Sequence, residues 1–283
     1  MIRIKFENAL GSISMGGGHH ETMNITSLSG FGIPPREMTN INFAGQPGTK
    51  TIDIKDNQRI ITIGGDFQGH PAKIKEMLKV LYKKGTLTCR CGPKNLQIDC
   101  FAINNDEFVE QGKSGFYKFV LQFQADNPYF TDTEEKVYPI YKREDMITGR
   151  FVLPAVFTQR TTSNSVVIDG DMPIYPIINI TAISPSGNYG TFTIKNNTTG
   201  SFIVLNHQLK QNEKILVDVP NRKIISNIDG NITNQISDKT VLSDFVLEQG
   251  ENNISVEKTN ADDVFYAEIT YKNLYISAVQ YGY

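Results

Sequence analysis

The side chains that could carry chemistry in this 283-residue chain are four histidines, three cysteines, a few neighbouring carboxylates and a set of tyrosines. His19 and His20 sit together in Gly16-Gly-Gly-His-His20. Paired imidazoles bind metals, but a structural zinc site wants about four ligands, and the chain offers only His70 and His207 besides. The segment reads as a loop. Cys89, Cys91 and Cys100 form a Cys-x-Cys set with a third cysteine but no fourth ligand nearby in sequence. An odd number does not close into a disulfide framework and fits a reducing compartment. These cysteines read as a column of small buried hydrophobes in a hairpin. His207 stands alone and reads as a surface or rim histidine. Asp169 and Asp171 flank Gly170, and Asp262 adjoins Asp263. Both pairs suit turns, where Asp bonds locally, better than two facing glycosidase carboxylates.

Several chemistries are excluded by what is missing. The Gly- and Pro-rich stretch Ser29 to Glu37 has no Lys-Ser/Thr of a phosphate loop and no strand–GxGxxG–helix context. No Gly-x-Ser-x-Gly elbow occurs, and no Cys–His pair has local support. Sugar-binding sandwiches stack an aromatic ring on the sugar, and this chain has no Trp. Tyr189, Tyr266, Tyr271, Tyr275, Tyr281 and Tyr283 read as core or edge packing. No catalytic, cofactor or metal site is expected, and the chain is not expected to be an enzyme.

Composition narrows the partners. The 28 basic and 30 acidic residues nearly balance, which argues against a polyanion such as nucleic acid, since counterion release needs clustered Lys and Arg. The basic run Lys73 to Lys84 reads as the solvated face of a helix. No apolar run approaches the roughly 18 residues of a membrane span. Met1 to Glu7 alternates like a strand and lacks a signal-peptide core, so cytoplasmic synthesis is expected.

The element that organises the chain is Phe116 to Phe130. Tyr117, Phe119, Leu121 and Phe123 share one face, with Lys118, Gln122 and Gln124 among the others, which is the period-two pattern of a half-buried strand. Asn127-Pro128 ends it, because Pro removes a ladder donor and restricts the residue before it. The stretch reads as the last strand of one domain and the hinge into another. Before it, strands are expected over 2–6, 23–28, 50–55, 59–63, 86–91 and 96–103. Pro71 and Gly85 bracket a single helix whose Ile74, Met77, Leu78 and Leu81 recur at core spacing. After it, short apolar runs separated by turns predict strands over 151–157, 165–168, 174–180, 191–195, 202–205, 214–219, 223–225, 244–247, 253–257 and 265–276, a β-sandwich or jelly roll. The fold expected is mainly β: an N-terminal α+β, split-barrel-like domain over 1–132, then a galectin- or carbohydrate-module-like sandwich over 133–283.

Three features carry a family resemblance: Phe31-Gly-Ile-Pro-Pro-Arg-Glu37, Phe43-Ala-Gly-Gln-Pro-Gly48 with Arg59-Ile-Ile-Thr-Ile-Gly-Gly-Asp-Phe67, and the strand ending in Asn127-Pro-Tyr-Phe130. Their order and spacing resemble the distal tail proteins of long-tailed bacteriophages, and Gln249 to Val256 resembles the closing strand of sandwiches of that kind. The resemblance implies a structural part of the virion tail, assembled in the bacterial cytoplasm. It implies a homo-hexameric ring of N-terminal domains between the tail tube protein and the hub, lysin or receptor-binding proteins of the tail tip. Stiff, apolar-tipped loops make Phe31, Ile33, Pro34, Arg36, Phe43 and Gln46 the candidate ring contacts. A ring in a phage-derived bacteriocin or injection machine would look the same. The alternative is a carbohydrate-binding module attaching to host cell-wall glycans.

Overall fold

The computed structural model describes residues 3–16, 23–45, 47–91, 93–110, 112, 115–145, 158–161, 163–260 and 262–278. The loop expected at Gly16 to His20 and the strand at 151–157 fall outside these residues, apart from Gly16. The chain divides into two compact units, one of Met1–Thr133 with Leu274–Tyr283, the other of Glu134–Asn273.

The first unit contains β1 (Arg3–Asn8), β2 (Gly11–Gly16), β3 (Met23–Ser29), β4 (Arg36–Asn42), β5 (Thr49–Asp56), β6 (Arg59–Gln68), α1 (Pro71–Leu81), β7 (Gly85–Cys91), β8 (Lys94–Glu110), β9 (Phe116–Ala125) and β10 (Phe130–Asp132). Its main sheet runs β2-β1-β7-β8-β9-β6-β3. The 17-residue β8 joins the two halves, pairing β7 through Lys94–Cys100 and β9 through the rest of its length. The end strands β2 and β3 lie against one another. In β9 every second side chain from Tyr117 to Ala125 is buried, as its alternation predicts. Each of its large apolar side chains contributes roughly 1.5–3 kcal/mol by leaving water. In the β7–β8 hairpin Leu87 stands opposite Ile98 and Cys89 opposite Leu96, all four buried with Cys100. Burial pushes the Cys100 thiol up to about 12, Asp99 adding to the shift. Cys89 and Cys100 are therefore the packed hydrophobes their spacing suggests; the Cys91 side chain lies outside the described residues.

The helix forms where its caps place it. His70 Nδ1 accepts the Ala72 N–H at 3.2 Å, Pro71 starts the first turn, and Lys79 stands in the last. Met77 and Leu81 are buried, but Leu78, expected in the core, is 38 % exposed. It faces a groove of about 870 Å³ between α1 and β2, where Leu10, Ile13, Val80 and Tyr82 join it. Eleven residues make only three turns, so the core sees a narrower stripe than the sequence spacing suggests.

The second unit contains β11 (Lys136–Asp145), β12 (Thr158–Thr161), β13 (Ser163–Ile168), β14 (Ile177–Ser184), β15 (Tyr189–Asn196), β16 (Phe202–Gln208), β17 (Lys214–Asp218), β18 (Lys223–Ser226), β19 (Gly230–Asn231), β20 (Gly250–Lys258) and β21 (Val264–Tyr271). One sheet runs β12-β11-β21-β14-β17-β18-β19, the other β13-β20-β15-β16. Phe265 of the first sheet stacks on Tyr141 at 4.4 Å and meets Phe192 of the second edge-on at 5.4 Å, so the core lies between the sheets. Two expected strands are corrected. Residues 244–247 make no ladder: a 3₁₀ turn, Leu242–Asp244, leads to buried Phe245 and to Leu247, whose backbone bridges Ile174 alone. The strand expected from 174 begins at Ile177, because Pro176 has no N–H to give.

The run expected over 265–276 also breaks. β21 ends at Tyr271, and β22 (Leu274–Tyr275) pairs with β10 in the first unit. The last ten residues, placed with the sandwich on sequence grounds, thus group with the N-terminal unit. Among the described residues α1 is the one α-helix, and the architecture is mainly β, as the sequence implies.

Candidate functional site: an uncovered arm and its root

Among the described residues β4 and β5 form a two-stranded sheet with no third strand. Every residue of the pair is exposed except the half-buried Asp56. Met38 stands directly opposite Ile54, and the register shifts just beyond this pair, leaving Ile52 as the extra residue of β5. Met38, Ile41, Ile52 and Ile54 are 42–55 % exposed, and Phe43 beyond β4 is 50 % exposed. An isolated two-stranded hairpin is marginal in water. One that leaves five large apolar side chains wet is a surface made to be covered.

The root of this arm is held firmly. Arg59, the first residue of β6, is fully buried. Its Nε donates to Pro128 O at 2.6 Å, Nη1 to Gly30 O at 2.6 Å and Gly32 O at 2.7 Å, and Nη2 to Ile276 O at 2.7 Å. Its guanidinium lies 4.8 Å from the Phe130 ring centre, and Phe31 stacks on the same ring at 5.9 Å. One side chain therefore ties the loop before the arm, the turn after β9 and the returning C-terminal segment. Desolvation lowers the Arg59 pKa to about 10, with Asp56 opposing the shift, so it stays charged at neutral pH. Asp56 closes the arm: Oδ1 accepts from Arg36 Nε at 2.9 Å and Oδ2 from the Tyr129 hydroxyl at 2.6 Å. Desolvation and that hydrogen bond to a carboxylate raise the Tyr129 pKa to about 12. Gly30 permits the crossing. Its φ is +86°, and a Cβ there would stand 2.1 Å from Ile60 O.

The six residues singled out in the sequence fall in different places. Ile33 is 69 % exposed and Phe43 stands at the arm's end. Arg36 sits at the root and Pro34 is buried. Phe31 is not an apolar tip, because its ring completes the core against Phe130. Gln46 lies outside the described residues. Arg59 and the apolar strands of the arm were missed. The signal for Arg59 was its phase, two and four residues before the inward Ile61 and Ile63 of the same strand.

No acid–base pair is built here, and the groove beside α1 has Glu76 as its one carboxylate, with no His or Cys. In the second unit a correction is needed at His207. It is 3 % exposed, not a rim residue, with Gln235 and Glu213 on its two ring nitrogens.

Residues 169–275, nearly all in the second unit, match the model of the siphovirus-type tail component, C-terminal domain. No curated protein matches the chain by sequence. The fold resembles that of the SPP1 Dit protein, described as a paradigm of the hub adsorption apparatus in phages infecting Gram-positive bacteria: TM-score 0.63, 14 % identity, 88 % of this chain and 92 % of that one. It also resembles a chain of the phage P2 baseplate in its activated, calcium-bound conformation: TM-score 0.51, 10 % identity, 95 % and 98 % covered. The family match covers the C-terminal stretch, and the solved structures add a likeness of fold over most of the chain. Residues 169–275 thus carry a siphovirus-type tail component domain, and the fold around it is similar to that of SPP1 Dit.

Proposed function

We propose that six copies of this chain close into a ring through their N-terminal units. The ring would join the tail tube to the tail-tip or baseplate proteins, with the C-terminal sandwiches as its periphery. The role is assembly, not catalysis, and the ring forms in the bacterial cytoplasm during tail assembly. The observation that carries the reading is the arm: five uncovered apolar side chains on a hairpin whose root is locked by Arg59 and Asp56. Covering them on a neighbour would contribute on the order of 5–10 kcal/mol before association costs. A head-to-tail contact of that kind closes by rotation into a ring. Arg36 at the root, Ile33 beside it and the loop of Phe43 and Gln46 are the contacts assigned to the interface. Phe31 and Pro34 support it from within.

Light scattering on the purified chain, with negative-stain images of the same peak, tests the proposal. A hexamer, or stacked hexamers, with a central hole is expected. A monomer that neither joins its tail-tube protein nor forms rings on it, yet binds cell walls, would replace this reading with the glycan-binding one.

A further inference from the structure

We propose that the sandwich unit holds a divalent transition-metal site, best suited to zinc, at His207, Glu213 and Asp229. These residues come from both sheets of the sandwich, His207 from the end strand of one and the two carboxylates from turns of the other. His207 lies in β16, Glu213 in the turn before β17, and Asp229 in the turn between β18 and β19. One ligand atom from each lies within 4.8 Å of the others. His207 Nε2 is 2.9 Å from Glu213 Oε1 and 4.0 Å from Asp229 Oδ2. Two ligands about 2.0–2.1 Å from a tetrahedral zinc stand roughly 3.3 Å apart, and the two distances bracket that value.

What marks this as a built site is how the other ends of the three side chains are tied. His207 Nδ1 faces Gln235 Oε1 at 2.6 Å. With the amide oxygen as acceptor Nδ1 donates, and Nε2 is the ring nitrogen that faces Glu213 and Asp229. Glu213 Oε2 accepts the Lys210 N–H at 2.9 Å, which leaves Oε1 pointing at the histidine. Lys210 Nζ contacts Asp229 through Oδ1, which leaves Oδ2 for the centre. Ser226 Oγ donates to Glu213 Oε1 and accepts the Ile228 and Asp229 N–H groups, both at 3.1 Å, so the turn bearing Asp229 is fixed to the glutamate. Metal-ligating histidines and carboxylates are held by outer partners in this manner.

The electrostatics require something positive in the seam. Glu213 is fully buried and His207 nearly so, and a buried carboxylate must be paired. Either a proton on Nε2 or a metal ion fills the space between Nε2 and Oε1. The metal takes the proton's place, bonded to one nitrogen and two oxygens, with water as the fourth ligand. Asp229, 29 % exposed, opens that position to solvent. Imidazole with two carboxylates suits zinc, whose d¹⁰ shell imposes no geometry of its own.

The experiment uses the full chain, freed of metal by chelator and titrated with zinc chloride at neutral pH in a calorimeter. One ion per chain is expected, with a rise in melting temperature. Asp229→Ala, on a partly exposed turn, should melt as the metal-free wild type does but bind zinc about tenfold or more weakly. Cobalt(II) in place of zinc should give a visible spectrum without thiolate charge-transfer bands, which separates this site from the cysteines. Wild-type protein that takes up no stoichiometric zinc would overturn the proposal and leave a proton in the seam. So would zinc binding unchanged by Asp229→Ala, or a cobalt spectrum dominated by thiolate.

Discussion

Arg59 ties three separate segments of the N-terminal unit together. Four backbone carbonyls converge on it. Arg59→Met would keep the volume and remove the charged donors that those carbonyls accept from. The expected loss is about 3–5 kcal/mol, read from urea denaturation. Gly30→Ala should approach it, because the new methyl meets Ile60 O at a left-handed φ. Tyr129 gives a pH signature. Its folded pKa of about 12 lies above the ordinary 10, so its contribution is complete below pH 10 and is lost as the pH rises through 12. Arg59 acts oppositely, since its folded pKa is about 10 against 12.5, and its term grows over the same interval. The difference between wild type and Tyr129→Phe isolates the phenol. The variant should lose about 1 kcal/mol at neutral pH, and that gap should close between pH 10 and 12.

At the scale of elements, the arm separates folding from assembly. Its strands bury almost nothing in their own unit, so Met38→Glu with Ile54→Glu should shift monomer stability by no more than about 0.5 kcal/mol. The same pair places two carboxylates in the proposed interface, and the mass by light scattering should fall to that of a monomer. If the double variant still forms rings, the arm is not the contact. The helix makes the reverse case. Met77 and Leu81 are buried, so Leu81→Ala should cost about 2–5 kcal/mol in urea, while Leu78→Ala should cost far less.

For the whole molecule, the chain leaves its first unit at Thr133 and returns to it at Leu274. Tyr275 and Ala278 are buried there, Tyr275 OH donates to Asp132 at 3.0 Å, Ala278 N–H donates to Phe31 O at 2.9 Å, and Ile276 O accepts from Arg59. Removing residues 274–283 should therefore weaken the N-terminal unit, by about 2–4 kcal/mol, and leave the sandwich intact. Calorimetry should show one transition moved down and the other in place. A fragment of the first 132 residues would carry the same defect.

Periodicity alone determined β9, the β7–β8 hairpin with its buried cysteines, the helix between Pro71 and Gly85, and the mainly β character of both halves. These are local patterns, with the buried face repeating every second or every 3.6 residues. The order of the loops around Phe31, Phe43 and Asn127 was enough to suggest the distal tail family. The tertiary structure alone decided the rest. Met38, Ile52 and Ile54 alternate as core strands do, and nothing in that pattern says that no sheet covers them. β11 ends in Lys142-Arg-Glu-Asp145 and does not read as a strand, yet it pairs with β21 and β12. His207 meets Gln235, 28 residues away, and Arg59 meets Ile276, 217 residues away. Such partners are set by how the sheets close, and sequence spacing holds no record of a contact whose ends are brought together only by the fold.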